Sequence, residues 1–302
     1  MSNLFNTGII PAINDYLIAK AKEERNYGEY WSASSAGYCM RLNIMRRLGV
    51  PKVPELEDNA TQTRIFEAGH IFHEWLQRIT KDAGLSIASE VELQDEELMI
   101  RGHFDDLVLV DCLKCGGTGL LNTSPPPLKT GRACFECHTG KKLILYDYKT
   151  AHSASFNYKK RQTEIGYYHK MQLGTYMYML RNNCHDLEVE GKHRVQINNV
   201  YLDTVAEARI LSISKDDLRM HEQQLLWSPQ LEKEVVGYWR TLNGYWAKKT
   251  MPKCTCLDFD GGFMGKKSAK NKFYNDFFYN DTPCSMEWFE LCKKEGRIRA
   301  KE

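Results

Sequence analysis

Between Arg101 and Lys149 the chain carries two apolar runs, each with an aspartate, separated by a cysteine-rich excursion. The first is Arg101-Gly102-His103-Phe104-Asp105-Asp106 leading into Leu107, Val108, Leu109 and Val110; the second is Leu143-Ile144-Leu145-Tyr146-Asp147-Tyr148-Lys149. β-branched and aromatic enrichment bounded by glycine and polar residues predicts strands, each finishing in its carboxylate. Two antiparallel neighbours of this kind would bring Asp105 and Asp147 to adjacent strand ends, where their oxygens could share one hard divalent cation, Mg²⁺ or Mn²⁺. Side chains at 147 and 149 leave the same face of a strand, so the Lys149 ammonium is expected beside the metal-bound carboxylate. Such a group can hold and polarise a water next to a phosphodiester.

The excursion reads Cys112-x2-Cys115-Gly-Gly-Thr-Gly, then Pro125-Pro126-Pro127, then Cys134-x2-Cys137, with eighteen residues between the two pairs. Each pair offers two thiolates at one turn, and the glycines let the backbone curl around the sulfurs, which suits tetrahedral Zn²⁺. Four thiolates leave no open coordination position, so this zinc is expected to be structural: a zinc ribbon over 112–140 inserted between two core strands. Ten cysteines in a chain of 302 residues with no signal-like start argue for metal binding in a reducing compartment rather than for disulfides. No apolar run is long enough to cross a bilayer, so no membrane partner is expected. With 41 basic against 39 acidic residues, any basic footprint for a polyanion has to be local.

Apolar spacing predicts helices over Ile9–Lys22, Met40–Leu48 and Thr61–Ala83, the last stopped by Gly84. Cys39 sits at the start of the second, where the helix dipole favours a thiolate, although a buried helix-end thiol fits equally. Gly69 and His73 share a face of the third helix, while His70 points elsewhere and reads as surface. Ser86–Leu93 reads as a strand. The basic run Lys159-Lys160-Arg161 is a candidate phosphate contact or a solvated loop. Glu164–Leu180 is helical, with Gln172 and Tyr176 four apart, able to orient a phosphate or a water by hydrogen bonds or simply to pack in the core. Beyond it Val195–Val205 reads as strand and Lys215–Lys248 as helix.

Together, Gly69-x3-His73, Gly102-x2-Asp105, Asp147-x-Lys149 and Gln172-x3-Tyr176 resemble, in order and spacing, the PD-(D/E)XK nuclease superfamily, and most of all its RecB-like branch with the CRISPR-associated and phage exonucleases. The resemblance covers roughly residues 32–180. It implies an α/β restriction-endonuclease-like core, a mixed central sheet flanked by helices, and metal-dependent DNA cleavage. His73, Asp105, Asp147 and the Tyr148 carbonyl would be ligands of Mg²⁺ or Mn²⁺, with Lys149 catalytic and Gln172 and Tyr176 holding the strand or the lysine. Many members of that branch also carry a 4Fe-4S cluster on one early and three late cysteines. Cys39 matches the first position. Cys254, Cys256, Cys284 and Cys292 compete for the other three, spread by an insertion the branch does not usually have; Cys254, Cys256 and Cys284 are favoured, Cys292 is the runner-up, and zinc is the alternative occupant. Cys184 reads as a spectator.

The expected organisation is an N-terminal helical region over 1–60, a nuclease core from 61–111 and 141–214, the ribbon over 112–140, and a helical, cysteine-rich C-terminal region over 215–302. The resemblance implies a cytoplasmic exonuclease of a bacterial cell or its phage, acting on DNA ends or single strands in recombination, repair or phage DNA metabolism, beside a recombination or replication partner, with Tyr158, Tyr167 and Tyr168 available for base stacking. The alternatives are a non-catalytic DNA-binding recombination-accessory protein and a structure- or site-specific endonuclease of the same superfamily. The absence of a Gly-rich dinucleotide loop disfavours an iron–sulfur oxidoreductase.

Overall fold

The computed structural model describes residues 9–22, 29–47, 60–122, 131–134, 137, 140–182, 196–197, 200–201, 205–250 and 252. The chain divides into two compact units. One takes its described residues from 1–26, 37–68 and 241–302, the other from 27–36 and 69–240.

In the first unit lie α1 (Ile9–Lys22), α2 (Met40–Arg47) and the beginning of α3 (Ala60–Asp82). The expected bounds of these helices are met within a residue or two. Leu17 and Ile44 are buried, and Arg47 stacks its guanidinium over Trp246, 4.5 Å from the ring centroid.

The second unit is built on a five-stranded mixed sheet. Its strands are β2 (Ser86–Ser89), β5 (Asp106–Asp111), β8 (Lys141–Ala151), β11 (Glu207–Ser214) and β12 (Met220–Leu226), in the order β12-β11-β8-β5-β2. The spine is β8, antiparallel to β5 and parallel to β11. A parallel neighbour needs a crossover, and here it contains α4 (Ser153–Lys160) and α5 (Tyr167–Arg181). A separate three-stranded sheet joins β1 (Trp31–Ser32), β4 (Ile100–His103) and β3 (Glu92–Asp95) in the order β1-β4-β3. The short pairs β6 (Leu120–Asn122) with β7 (Gly131–Ala133) and β9 (Gln196–Ile197) with β10 (Val200–Tyr201) are antiparallel. The last helix, α6, spans Pro229–Ala247.

Helices cover both faces of the large sheet. On one, α3 reaches the buried Asp106, whose Oδ2 accepts from Thr80 Oγ1 at 2.6 Å and from the Tyr148 hydroxyl at 2.7 Å. Its Oδ1 accepts from Ser86 at 2.5 Å and Ser89 at 3.3 Å. On the other face α5 reaches Asp147 through Gln172. Gly174 lets α6 close onto α5: a Cβ there would stand 2.9 Å from Val235 Cγ2 and 3.0 Å from Leu231 Cδ1. Trp239 Nε1 donates to Thr175 Oγ1 at 3.0 Å, fixing the rotation of α5.

Four sequence expectations are corrected. The run 86–93 is two strands in two sheets, because Glu90 turns the chain at φ 53°. Asp105 does not finish a strand but stands in the step from β4 to β5, and Asp147 lies inside β8, which continues to Ala151. Lys215–Lys248 is not one helix. Met220–Leu226 forms the edge strand β12 with alternate exposure, and the helix begins only where Ser228 Oγ caps the Leu231 N–H at 3.1 Å and Pro229 takes the first helical position.

Asp106 is 0% exposed and gathers four hydroxyl donors. Asp106→Ala strands those donors in the core, at a cost of about 3 kcal/mol. Urea denaturation should show a lower midpoint at unchanged slope; an unshifted midpoint would deny the network its structural role.

Candidate functional site

In the β5–β8 ladder Asp106 opposes Tyr146, so β5 stops where β8 still has 147–151 to run. Asp105 stands at that stop, on the position that continues the ladder opposite Asp147. Its Oδ2 takes the place of the missing strand by accepting the Tyr148 N–H at 2.6 Å. In a strand the N–H and C=O of one residue leave on the same side, so the Tyr148 carbonyl faces the same notch. From α3, His73 Nδ1 approaches Asp105 Oδ2 at 3.5 Å, and its ring meets Tyr148 edge-on.

The period of two holds at residue 149. Lys149 Nζ lies 2.8 Å from both oxygens of Asp147, with its hydrogen bond directed at Oδ1. Gln172 Nε2 donates to the same oxygen at 3.1 Å. Asp147 Oδ2 is buried and accepts no well-directed hydrogen bond. Burial, and then the nearby Asp105 charge, raise the Asp147 carboxyl above the usual carboxylate range in spite of Lys149. At Asp105 burial works the same way, but His73 and Lys149 outweigh it and hold that carboxyl low. His73 is desolvated, yet Asp105 keeps its imidazole above the ordinary value.

Tyr176, one turn beyond Gln172, is buried, with its ring where a side chain on Gly102 would be: Tyr176 Cε1 stands 3.2 Å from the Cβ position and Ala33 Cβ 2.7 Å. The spacing Gly102-x2-Asp105 is thus coupled to Tyr176 by close packing. His70 is exposed. Sequence reasoning missed the Asp106 network. Lys159 is a candidate phosphate contact in the sequence, but His169 is not singled out there; burial and then the Lys149 charge lower both groups, His169 to about 3.

Cys112, Cys115, Cys134 and Cys137 form the second centre. Their sulfurs all lie within 4.8 Å of one another, with Cys112–Cys134 at 3.9 Å and Cys115–Cys137 at 3.5 Å. Four sulfurs about 2.3 Å from one tetrahedral ion stand about 3.8 Å apart, so the set matches a single metal ion. Gly140 lets the chain pack against Gly117, where a Cβ would stand 2.1 Å from the carbonyl oxygen. Burial opposes ionisation at Cys115, but hydrogen bonds from Cys137 and the Gly119 N–H bring its thiol down to about 7, whereas burial and the other thiols push Cys137 up to about 12. The four cysteines could hold a metal such as zinc, or an iron–sulfur centre. Among the described residues no other group of three or more His, Cys, Asp or Glu side chains draws together as tightly, His73, Asp105 and Asp147 included.

Cys39 precedes α2, its carbonyl accepting the Asn43 N–H at 3.2 Å. Cys184, Cys254, Cys256, Cys284 and Cys292 lie outside the described residues. No described helix is long and apolar enough to cross a membrane.

No family model matches the chain, and no curated protein matches it. A solved structure described as "Crystal structure of SSO0001" is similar at 15% identity, covering 80% of this chain and 87% of that one, with a TM-score of 0.41.

The four-sulfur geometry generates a direct expectation: the protein purifies with about one zinc per chain by elemental analysis, and Cys134→Ser removes it and lowers the melting temperature. A chain free of metal with all four thiols reduced would refute the centre.

Proposed function

We propose that this chain is a divalent-metal-dependent deoxyribonuclease of the PD-(D/E)XK superfamily, with a restriction-endonuclease-like core, acting as an exonuclease on DNA ends or single strands. The observation that carries the reading is the Asp105–Asp147–Lys149 constellation at the notch where β5 ends and β8 continues, with Gln172 donating to Asp147. Its donor chemistry fits a hard cation. Asp147 keeps a buried oxygen without a directed hydrogen bond, and the Asp105 carboxylate is near enough for its charge to act on it.

Asp105, Asp147, His73 and the Tyr148 carbonyl would hold Mg²⁺ or Mn²⁺, which when bound supplies charge neutralisation at the phosphoryl group and acidifies water. Lys149, 25% exposed at its side chain, offers its ammonium to the charge that develops on the phosphoryl oxygens. Gln172 holds the Asp147 carboxylate in its rotamer. Tyr176 acts through packing: its ring against Gly102 fixes the strand that leads into Asp105. Tyr158 is exposed, and Tyr167 and Tyr168 meet edge-on with centroids 5.9 Å apart, a surface on which bases could stack. In this reading the four-cysteine centre takes zinc, and Cys39 with Cys254, Cys256 and Cys284 takes a 4Fe-4S cluster.

The test uses linear end-labelled and circular single-stranded DNA with Mn²⁺. The wild-type protein should degrade the linear strand and spare the circle. Asp147→Ala and Lys149→Ala, at unchanged circular dichroism, should each lose roughly 10²–10³-fold in rate, the scale of removing one preorganised electrostatic group. Cleavage by Asp147→Ala at the wild-type rate would sink the assignment, and cleavage of the circle would replace exonuclease by endonuclease.

A further inference from the structure

Beside the carboxylates lies a group of polar side chains that the cleavage chemistry leaves unused. Ser212 on β11 is the parallel-ladder partner of Lys149, and His221 on β12 is the antiparallel partner of Ser212. Residues in register point to one face of a sheet. Lys149, Ser212 and His221 therefore form a row across the face that carries Asp147. Helix α4 lies over this row: Phe156 meets the His221 ring edge-on at 6.5 Å between centroids. Lys159, three residues further, shares the Phe156 side of the helix. Its charge acts on both Lys149 and Asp147, and His169 in the first turn of α5 feels both lysines.

Ser212 is fully buried in this group, while Lys149, Lys159, His169 and His221 are half-buried. Ser212 is 0% exposed and its hydroxyl has no hydrogen-bond partner among the described residues; His221 Nε2 is likewise buried and unpaired. Lys159 and His169 have no ion pair or side-chain hydrogen bond among the described residues. The nearby acids are taken: Asp147 by Lys149, and Glu234 by Lys170 at 2.5 Å. At its N-terminus α5 has glycine as the capping residue, no side-chain cap and no acidic residue in its first turn, so no anionic side chain of that turn offsets the positive end of its dipole. Buried polar groups ordinarily have partners. His169, three residues before the Gln172 that donates to Asp147, shares that side of α5. Two ammoniums, a hydroxyl and an imidazole on one face of the sheet suit a ligand with several anionic oxygens.

We propose that Lys159, Ser212 and His169, together with Lys149, form a phosphate subsite that holds the phosphodiester neighbouring the one at Asp105 and Asp147. Its assignment to a DNA strand rests on the nuclease reading. Lys149 is shared between the two phosphates, and Lys159 fixes the register of the strand as it enters the notch.

The test is anisotropy of a labelled single-stranded oligodeoxynucleotide, titrated at several NaCl concentrations without added Mg²⁺ or Mn²⁺, with thermal melts to verify folding. Lys159→Ala should bind about tenfold more weakly, with the log–log salt slope reduced by roughly 0.7, the loss of one phosphate contact on a single strand. Ser212→Ala should weaken binding about threefold. Lys233→Ala, which removes an exposed lysine of α6, should bind as wild type. An unchanged affinity and slope for Lys159→Ala, or an equal loss for Lys233→Ala, overturns the subsite even where the wild-type protein cleaves DNA. Selective loss of binding by Lys159→Ala in a protein that cleaves nothing keeps the subsite and removes the nuclease.

Discussion

The early stop of β5 against β8 is the constraint from which the site geometry follows. A strand that loses its neighbour exposes backbone groups that must be satisfied, and here Asp105 Oδ2 accepts the Tyr148 N–H in place of a strand carbonyl. One carboxylate is thereby fixed in the plane of the sheet. The other, on Asp147, is buried on the sheet face and neutralised in part by Lys149 two residues on. Burying charge is costly unless it is paired, and the pairing is incomplete: one Asp147 oxygen has no directed bond, and its acidity is weakened by burial and by Asp105. A sheet with an ordinary continuous ladder would have had no use for such an arrangement.

Support for the notch comes from both sides. Thr80 on α3 and Tyr148 on β8 both donate to Asp106, so the residue next to Asp105 is tied to the helix that carries His73. Burial and the Asp106 charge hold the Tyr148 hydroxyl protonated well above its ordinary value. On the opposite face the Trp239–Thr175 bond and the close approach at Gly174 fix α5, and with it the direction of Gln172. These contacts carry no chemistry, yet they set the rotamers on which the chemistry of the proposed site would depend.

Much of this was legible in the sequence where local rules decide. Asp147 and Lys149 share a face because a strand repeats every two residues. The cysteine pairs converge because each knuckle is a self-contained turn, and α3 ends at Gly84 because only a residue at ease with φ 68° closes it there. What escaped was set by long-range pairing. Met220–Leu226 is polar enough to pass for helix, and it becomes a strand only because β11 offers it an edge. The bond from Asp106 to Thr80 and Tyr148 joins three segments far apart in sequence, and neither composition nor period announces it. The position of Asp105 before its strand depends on a break between two sheets, which Phe104 and Leu107 do not signal, since both are buried as strand residues would be.

Charge gives the most economical account of why Ser212, Lys159 and His169 are where they are. In the proposed enzyme a divalent cation at Asp105 and Asp147 turns the notch from an acidic to a basic one, and Lys149 is then released from its role as counter-charge to Asp147. A single phosphodiester balances only part of that excess. With Lys159 on the same side of the sheet and no acidic residue in the first turn of α5, the balance is restored by a chain of phosphates rather than by one, which favours a polynucleotide over a mononucleotide as the substrate class.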